Sequence, residues 1–454
     1  MDEPLAAPLM ANGNLGDGGS VTLSEHTLTI SNGAVRWGAG GDAHLFKHSC
    51  AFPDILGCTS LMDQLIIHAF PRAAPSCCGG DATKRKAAMH TLRCPNPGIA
   101  SSVAETVRKA VGIKQRKMLV LINPFGGGGK APRVWRQLQP LLETAGLELE
   151  VTVTRAAGHA KQIAKELEIG KYDALISVSG DGLVNEIVNG LLSRDDGMEA
   201  MARTPIAVAP GGTGNGLFRS LCHFAGEAGD LVGAAFLIAK GVPSPLDLWS
   251  FVRPAEAGGD GGEGGGSAAA EEVLSWSFLS FMWGIISDVD LESEVCRCCG
   301  PLRLTMYGLL RIANARRYSG TFAYLDAASD EWVTIDSRQW LGIWACNVPY
   351  MTESDFAAPE AELDNGVLDI LLLDGTSRFQ ALSMFLAIEE GKHLSNSGLT
   401  LVKAKAFKLT PAPRTPHRPG WLDVDGEVIP FGAVEARPHP RAMRVLLPER
   451  QTRS

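Results

Sequence analysis

The chain has 454 residues, 45% of them apolar and 20% charged, with a formal net charge of −8. Such proportions belong to a globular protein with enough apolar material for about two or three domains. They give no reason to expect a nucleic-acid partner, and no apolar run reaches the ~18 residues of a membrane span.

Residues 1–20 open with MDEPLAAPLMANGN, which lacks a charged-then-apolar leader pattern, and their Gly, Asn and Asp content predicts disorder. Residues 21–115 form a small β-rich region: VTLSEHTLTI, AVRWG and QLIIHAF alternate as short strands. From Ser76 to Gln115 the chain reads as a locally basic linker (TKRKAAMHTLR) closing on a helix.

Between 116 and 245 the pattern changes. MLVLINP is a buried-strand run, followed by FGGGGKA and the helical spacing of RVWRQLQPLLETAG. LELEVTVTR, DALISVSG and PIAVAPGG read as further strands, HAKQIAKELEIG and GLVNEIVNGLLSR as helices. This alternation predicts a doubly wound α/β domain whose ligand lies at the carboxyl ends of the strands. From 246 to 450 the period switches to that of strands (LSWSFLSFMWGII, GTFAYL, EWVTIDS, WLGIWACNV, GVLDILLLDG, KAKAFKLTP, RAMRVLLPE) with one helix, RFQALSMFLAIEEGKHL. That predicts a β-sandwich, interrupted at 254–272 by a flexible Gly/acidic insertion, with the ligand cleft between the two domains.

Three glycine-rich turns, Gly126–Gly129, Gly180–Gly182 and Gly211–Gly216, fall at the expected strand ends. Backbone N–H groups exposed at such turns favour phosphates. FGGGGKA is no Walker A loop, since Ala131 follows Lys130 and Pro124 stands inside the motif, and no GxGxxG dinucleotide fingerprint is in place. Asp181, between two glycines, has two readings: a carboxylate that orients or deprotonates an alcohol for phosphoryl transfer, or a helix N-cap. The ten cysteines match neither a disulfide framework nor paired zinc spacing, and read as free thiols in a reducing compartment.

These motifs resemble the lipid kinases that include diacylglycerol, ceramide and sphingosine kinases. The resemblance runs from Arg116 to Leu447 and sharpens in SFMWGIISDVDLESEVCRCCGPLRLTMYGLLRI, FAAPEAELDNGVLDILLLDG, FLAIEEGKHL and WLDVDGEVIP, which are similar to sphingosine kinases. NPFGGGGKA resembles the plant-type long-chain base kinases. The resemblance implies ATP-binding roles for Asn123, Pro124, Phe125, Thr154, Gly158, Ser179, Gly180, Gly182, Glu186, Gly212, Thr213, Gly214, Arg297, Arg303, Asp425, Gly426 and Glu427. It implies Asp181 as catalytic base and Asp290 as the partner of sphingosine's polar head, with Ser179, Gly180 and Gly182 also near the acceptor. Ile285, Met384, Phe385, Ile388 and His393 would line the lipid tunnel; by pattern alone Met384, Phe385 and Ile388 read as core and His393 as a surface or core histidine. Arg297 and Arg303 suit phosphate through their forked donors, against a plain reading as solvated charge, and Asp290 is equally compatible with a solvent-facing acidic turn. Two departures stand out: Phe125 replaces an arginine of the animal enzymes, and Cys296, Cys298 and Cys299 flank Arg297.

The expectation is therefore a magnesium- and ATP-dependent kinase for sphingoid bases such as sphingosine and phytosphingosine. It would be cytoplasmic and peripherally membrane-associated, with the basic Thr83–Lys86 as one candidate docking face. The rivals are a ceramide, diacylglycerol or, more distantly, NAD kinase of the same fold, and a catalytically inactive lipid- or nucleotide-binding regulator.

Overall fold

A computed structural model describes residues 19–22, 26–31, 33–39, 48–72, 82–254, 272–293, 295–296, 302–415, 417 and 419–449. Residues 1–18, the insertion 255–271, and Arg297, Cys298 and Cys299 lie outside the described residues.

The chain begins with two antiparallel sheets. Strands β1 (Gly19–Thr22), β2 (His26–Ser31), β3 (Ala34–Ala39) and β4 (His48–Ala51) form one. Strands β5 (Ile55–Leu61), β6 (Gln64–Ala69) and β7 (Ala88–Arg93) form the other. Helix α1 (Pro97–Ala110) closes them. Asn96 caps it by accepting from the Ile99 N–H, and Pro97 stands in the first turn where its missing donor costs nothing. Ala100, Val103, Ala104 and Val107 then face Leu28, Val35, Trp37, Ile55 and Ile67. The expected linker is thus, where described, a strand and a helix of this core. β7 fully buries Leu92 alone, so no apolar alternation marks it in the sequence.

The α/β domain follows as β8 (Lys117–Ile122), α2 (Ala131–Thr144), β9 (Glu148–Val153), α3 (His159–Lys165), β10 (Ala174–Ser179), α4 (Asp181–Leu192), α5 (Gly197–Arg203), β11 (Ile206–Pro210), α6 (Gly216–Ala225) and α7 (Leu231–Lys240). Its strands are parallel in the order β9-β8-β10-β11. β10 is buried along its whole length, as a central strand covered by helices on both faces must be.

The second domain contains β12 (Val242–Arg253), β13 (Glu272–Ser277), β14 (Ser280–Gly284), α8 (Ile285–Glu292), α9 (Leu302–Ala313), β15 (Tyr318–Asp326), β16 (Trp332–Cys346), β17 (Leu368–Asp374), α10 (Arg378–Ala387), β18 (Thr400–Pro411), β19 (Leu422–Val424), β20 (Glu427–Ile429) and β21 (Val434–Leu447). Its core is aromatic, with Trp249, Phe251, Phe281, Trp283, Phe322, Trp340 and Phe407. The expected α/β-plus-β-sandwich architecture is present, with three α-helices among the described residues of the second domain where one was expected. The apolar run LSWSFLSFMWGII does not end as strand. Gly284 takes φ 85°, and a Cβ there would sit 2.6 Å from the Leu341 carbonyl oxygen; Ile285 then starts α8. Strand β21 ties the domains together. It pairs with β18 and β12, and at Ile206↔Val445 it lies parallel to β11.

Candidate active site

The three glycine turns meet at the carboxyl ends of β8, β10 and β11. A Cβ at Gly126 would lie 2.4 Å from Ser179 Oγ, and one at Gly127 2.5 Å from the Gly211 carbonyl oxygen. At Gly180 it would lie 2.3 Å from the Gly214 oxygen, and at Gly212 2.2 Å from Gly180 Cα. The turns are therefore stacked backbone on backbone, an approach that glycine alone permits. Asn215, not foreseen from sequence, locks the third turn: its Nδ2 donates to the Gly212 carbonyl (3.2 Å) and its Oδ1 accepts the Gly212 N–H (3.3 Å). Gly182 differs, because a Cβ there would meet nothing within 4 Å. Its bareness leaves cleft space and does not serve protein packing.

Asp181 is the first residue of α4 and is 6% exposed. It does not cap its own helix. Its carboxylate accepts the N–H groups of Gly216 (2.7 Å) and Leu217 (3.1 Å), capping the start of α6 instead. Burial raises its pKa to about 6, against the two amide bonds and with help from the Asp425 carboxylate. Two of the carboxylate's roughly four lone-pair positions remain open to a further donor.

The second domain brings its own carboxylates to this point. Asp425, at φ 55°, accepts from Ser277 Oγ (2.6 Å) and from the N–H groups of Phe278 (3.0 Å), Leu279 (3.1 Å) and Ser280 (2.8 Å). Its carboxylate fixes the β13–β14 turn, while Gly426 and Glu427 beside it are exposed. Two residues earlier, Asp423 is fully buried and its carboxyl group lies against that of Asp290.

Helix α8 separates its acids by face. Asp288 is fully buried and accepts from Tyr318 Oη (2.6 Å), Arg316 (2.7 Å) and Arg414 (3.4 Å). Glu292, one turn on, takes Arg311 and Arg316 (3.2 Å). Asp290 stands half-buried, with Oδ2 3.9 Å from where a Gly426 Cβ would lie. The run SDVDLESE reads as uniformly acidic; the helix assigns Asp288 to structure and turns Asp290 toward the Gly426 turn.

Other expected residues fall around the same rim. Asn123 Oδ1 accepts the Phe125 N–H (3.0 Å), holding the first turn beside the half-buried Pro124, and the Phe125 ring is 73% exposed. Thr154 is buried and Gly158 caps α3 at φ 80°, both in the β9–α3 turn, and Glu186 reaches from α4 to accept the Ala160 N–H (3.0 Å). Ser179 is buried against Gly126, and Thr213 is exposed on the third turn. Arg303 lies in the first turn of α9; Arg297 is outside the described residues. Ile285, Met384 and Phe385 join one apolar cluster between α8, α9 and α10. Ile388 packs on the larger core, and buried His393 bonds through Nε2 to the Ala357 carbonyl (2.9 Å).

Fold and cleft define a lipid kinase of the diacylglycerol-kinase type, which uses ATP as phosphate donor. The diacylglycerol kinase catalytic domain matches residues 117–251, and the YegS C-terminal NAD kinase beta sandwich-like domain matches residues 303–447. A candidate diacylglycerol kinase of Bacillus anthracis str. Sterne shares the fold, with a TM-score of 0.53 at 20% identity over 74% of this chain and 98% of its own. Sphingosine kinase 1 of Arabidopsis thaliana is 31% identical over 70% of this chain and 70% of its own. Sphingosine kinase 1 of Homo sapiens is 32% identical over 71% and 89%, and sphingoid long chain base kinase 4 of Schizosaccharomyces pombe 30% identical over 74% and 76%. The chain belongs to the sphingosine kinase family.

Proposed function

We propose that the protein phosphorylates the primary hydroxyl of sphingoid long-chain bases, giving the base 1-phosphate. The observation that carries this reading is the pair of carboxylates at the cleft: Asp181, buried beside the glycine turns, and Asp290, turned to the Gly426 turn of the other domain. The stacked turns and the open space at Gly182 suit the phosphates of ATP. Arg297 and Arg303 supply forked donors to the same phosphates, and Asn123, Pro124, Phe125, Thr154, Gly158, Glu186, Gly426 and Glu427 border the nucleotide. Asp181 orients the acceptor hydroxyl and takes its proton as the oxygen attacks the γ-phosphorus in line, while the bond to the bridging oxygen of ADP breaks. Asp290 holds the acceptor's ammonium group, a partner that ceramide and diacylglycerol lack.

Among the described residues no group of three His, Cys, Asp or Glu side chains could hold a metal ion. Magnesium therefore enters, on this reading, as the ATP complex, bound mainly through phosphate oxygens whose charge it neutralises.

The acceptor is a membrane lipid, and no helix among the described residues is long and apolar enough to cross a bilayer. Leu302, Met306, Leu309 and Leu310 on α9, with Phe379 and Leu386 on α10, are exposed by 44–86%. The two helices touch where Phe385 meets Gly308. This apolar face is the proposed contact with the bilayer surface. The basic stretch Thr83–Lys86 is a poorer candidate, because the Arg85 side chain is 4% exposed and paired with Glu227 and Asp54.

Phosphate transfer from labelled ATP to sphingosine, phytosphingosine, ceramide and diacylglycerol in micelles tests the reading, with Asp181→Asn as control. Label on the two free bases alone, lost in the variant, is the expected result. Label on a neutral lipid overturns the acceptor, and ATP binding without any transfer overturns the activity.

A further inference from the structure

Asp423 lies on β19, two residues before Asp425 and paired in register with Met282 of β14. It is fully buried. Its Oδ1 accepts the Gly426 N–H at 2.8 Å. Its Oδ2 meets no donor, yet its carboxyl group contacts Asp290 of α8. A buried carboxylate oxygen without a protein donor, set against a second carboxylate, is satisfied when the two acids share a proton. Among the described residues, the charged groups that act most on Asp423 are Asp290 and, from its own hairpin, Asp425. Burial and these two neighbours push its proton affinity far up, in agreement with the geometry.

We propose that Asp423 is a positioning residue for the cationic acceptor: its carboxyl group donates the shared proton to Asp290 and fixes that carboxylate in one orientation toward the ammonium group. While the proton is held, the two acids together present one carboxylate charge to the ammonium rather than two. Deprotonation at alkaline pH frees Asp290 from its donor and places two anions in contact. This inference rests on Asp290 as the head-group residue and adds the element that orients it.

The test is steady-state kinetics of the full chain with sphingosine and with its N,N,N-trimethyl analogue, whose head charge does not titrate. Asp423→Ala, Asp423→Asn and Asp290→Asn are compared with the parent. Asp423→Ala should raise the base KM about ten-fold, the scale of one charge-assisted hydrogen bond, and leave kcat and the ATP KM within about two-fold. Asparagine can donate to Asp290 and accept from Gly426, so Asp423→Asn should recover most of that loss. The parent should show an alkaline limb of kcat/KM with the trimethyl analogue, and Asp423→Asn should abolish it. An unchanged base KM in Asp423→Ala overturns the proposal. So does equal damage in the Ala and Asn variants, which marks mere packing, or an alkaline limb that survives in Asp423→Asn. Should the alanine variant fail to fold, the asparagine pH profile still decides. A silent Asp290→Asn removes the head-group reading, and this inference falls with it.

Discussion

Asp181 stands at the starts of two helices, α4, which it begins, and α6, whose Gly216 and Leu217 amides it accepts. Both helix N-termini favour its charged form, yet burial outweighs them and the pKa rises to about 6. The value suits a base that must be ionised near neutral pH and still bind a proton as the hydroxyl attacks. Asp181→Asn should lower turnover ~10²-fold to 10⁴-fold; near-normal turnover in the folded variant removes the assignment. The parent's kcat/KM should fall below about pH 6 as the carboxylate protonates. Stability carries the opposite sign. The folded pKa lies above the ordinary 3.8, so the carboxyl group favours folding below pH ~3.8, and that contribution is lost as pH rises through about 6. Asp181→Asn should therefore gain stability relative to the parent on going from pH 4 to pH 7. Urea midpoints at the two pH values measure it, and a relative loss contradicts the burial argument.

At the scale of elements, glycine serves two purposes in one set of turns. Gly180 and Gly212 are pressed on neighbouring backbone, whereas Gly182 faces space. Gly180→Ala should cost several kcal/mol or prevent folding, since backbone must move. Gly182→Ala should melt near the parent temperature and lose ATP affinity at least ~10-fold, as read by calorimetric titration. Normal ATP binding in Gly182→Ala removes the phosphate cradle from that turn. The turns were legible in the sequence because glycines at the ends of apolar runs have few other uses, and the fold followed from the alternation around them. What stayed hidden depended on tertiary direction. Asp288 and Asp290 differ by two positions on α8, and only packing against Tyr318, Arg316 and Arg414 makes one of them structural. Asp423 carries no sequence signal of its own beside Asp425, whose four hydrogen bonds give its carboxylate a supporting task. Helix α8 was missed because a strand-like apolar run leads directly into it. The exposed apolar face of α9 and α10 makes its own prediction: Leu309→Glu with Leu310→Glu should weaken sedimentation with phosphatidylcholine vesicles at least ~10-fold, and unchanged sedimentation moves the docking face elsewhere.

In the whole molecule, the N-terminal sheets are joined to the α/β domain by a buried contact. Leu56 and Phe70 enter the α/β core, and a Cβ on Gly57 would lie 2.1 Å from the Thr144 carbonyl oxygen. At its centre Glu227 takes both Arg85 and Arg72 at 2.8 Å, Arg85 also reaches Asp54 at 2.9 Å, and its guanidinium lies 3.9 Å above the Phe236 ring. Lys240, the last residue of α7, donates to the Phe52 carbonyl at 2.5 Å. Glu227→Gln strips the main charge partner from a guanidinium that is 4% exposed, and should cost ~3 kcal/mol of folding stability. Lys240 answers to pH. Burial, and then the Arg85 charge, lower its pKa from 10.5 to about 7, with Asp54 and Glu227 acting in the other direction. Between those two values the unfolded chain binds the proton and the folded chain does not. The lysine's contribution to stability therefore rises with pH across that window. Lys240→Met has no proton to exchange, so the parent should gain stability relative to it from pH 7 to pH 10.5, read from denaturant midpoints of both proteins. A constant difference across the window would mean that the ammonium stays charged and solvated, and that the N-terminal sheets are not seated on α7 as the packing of Phe52, Phe70 and Arg85 requires.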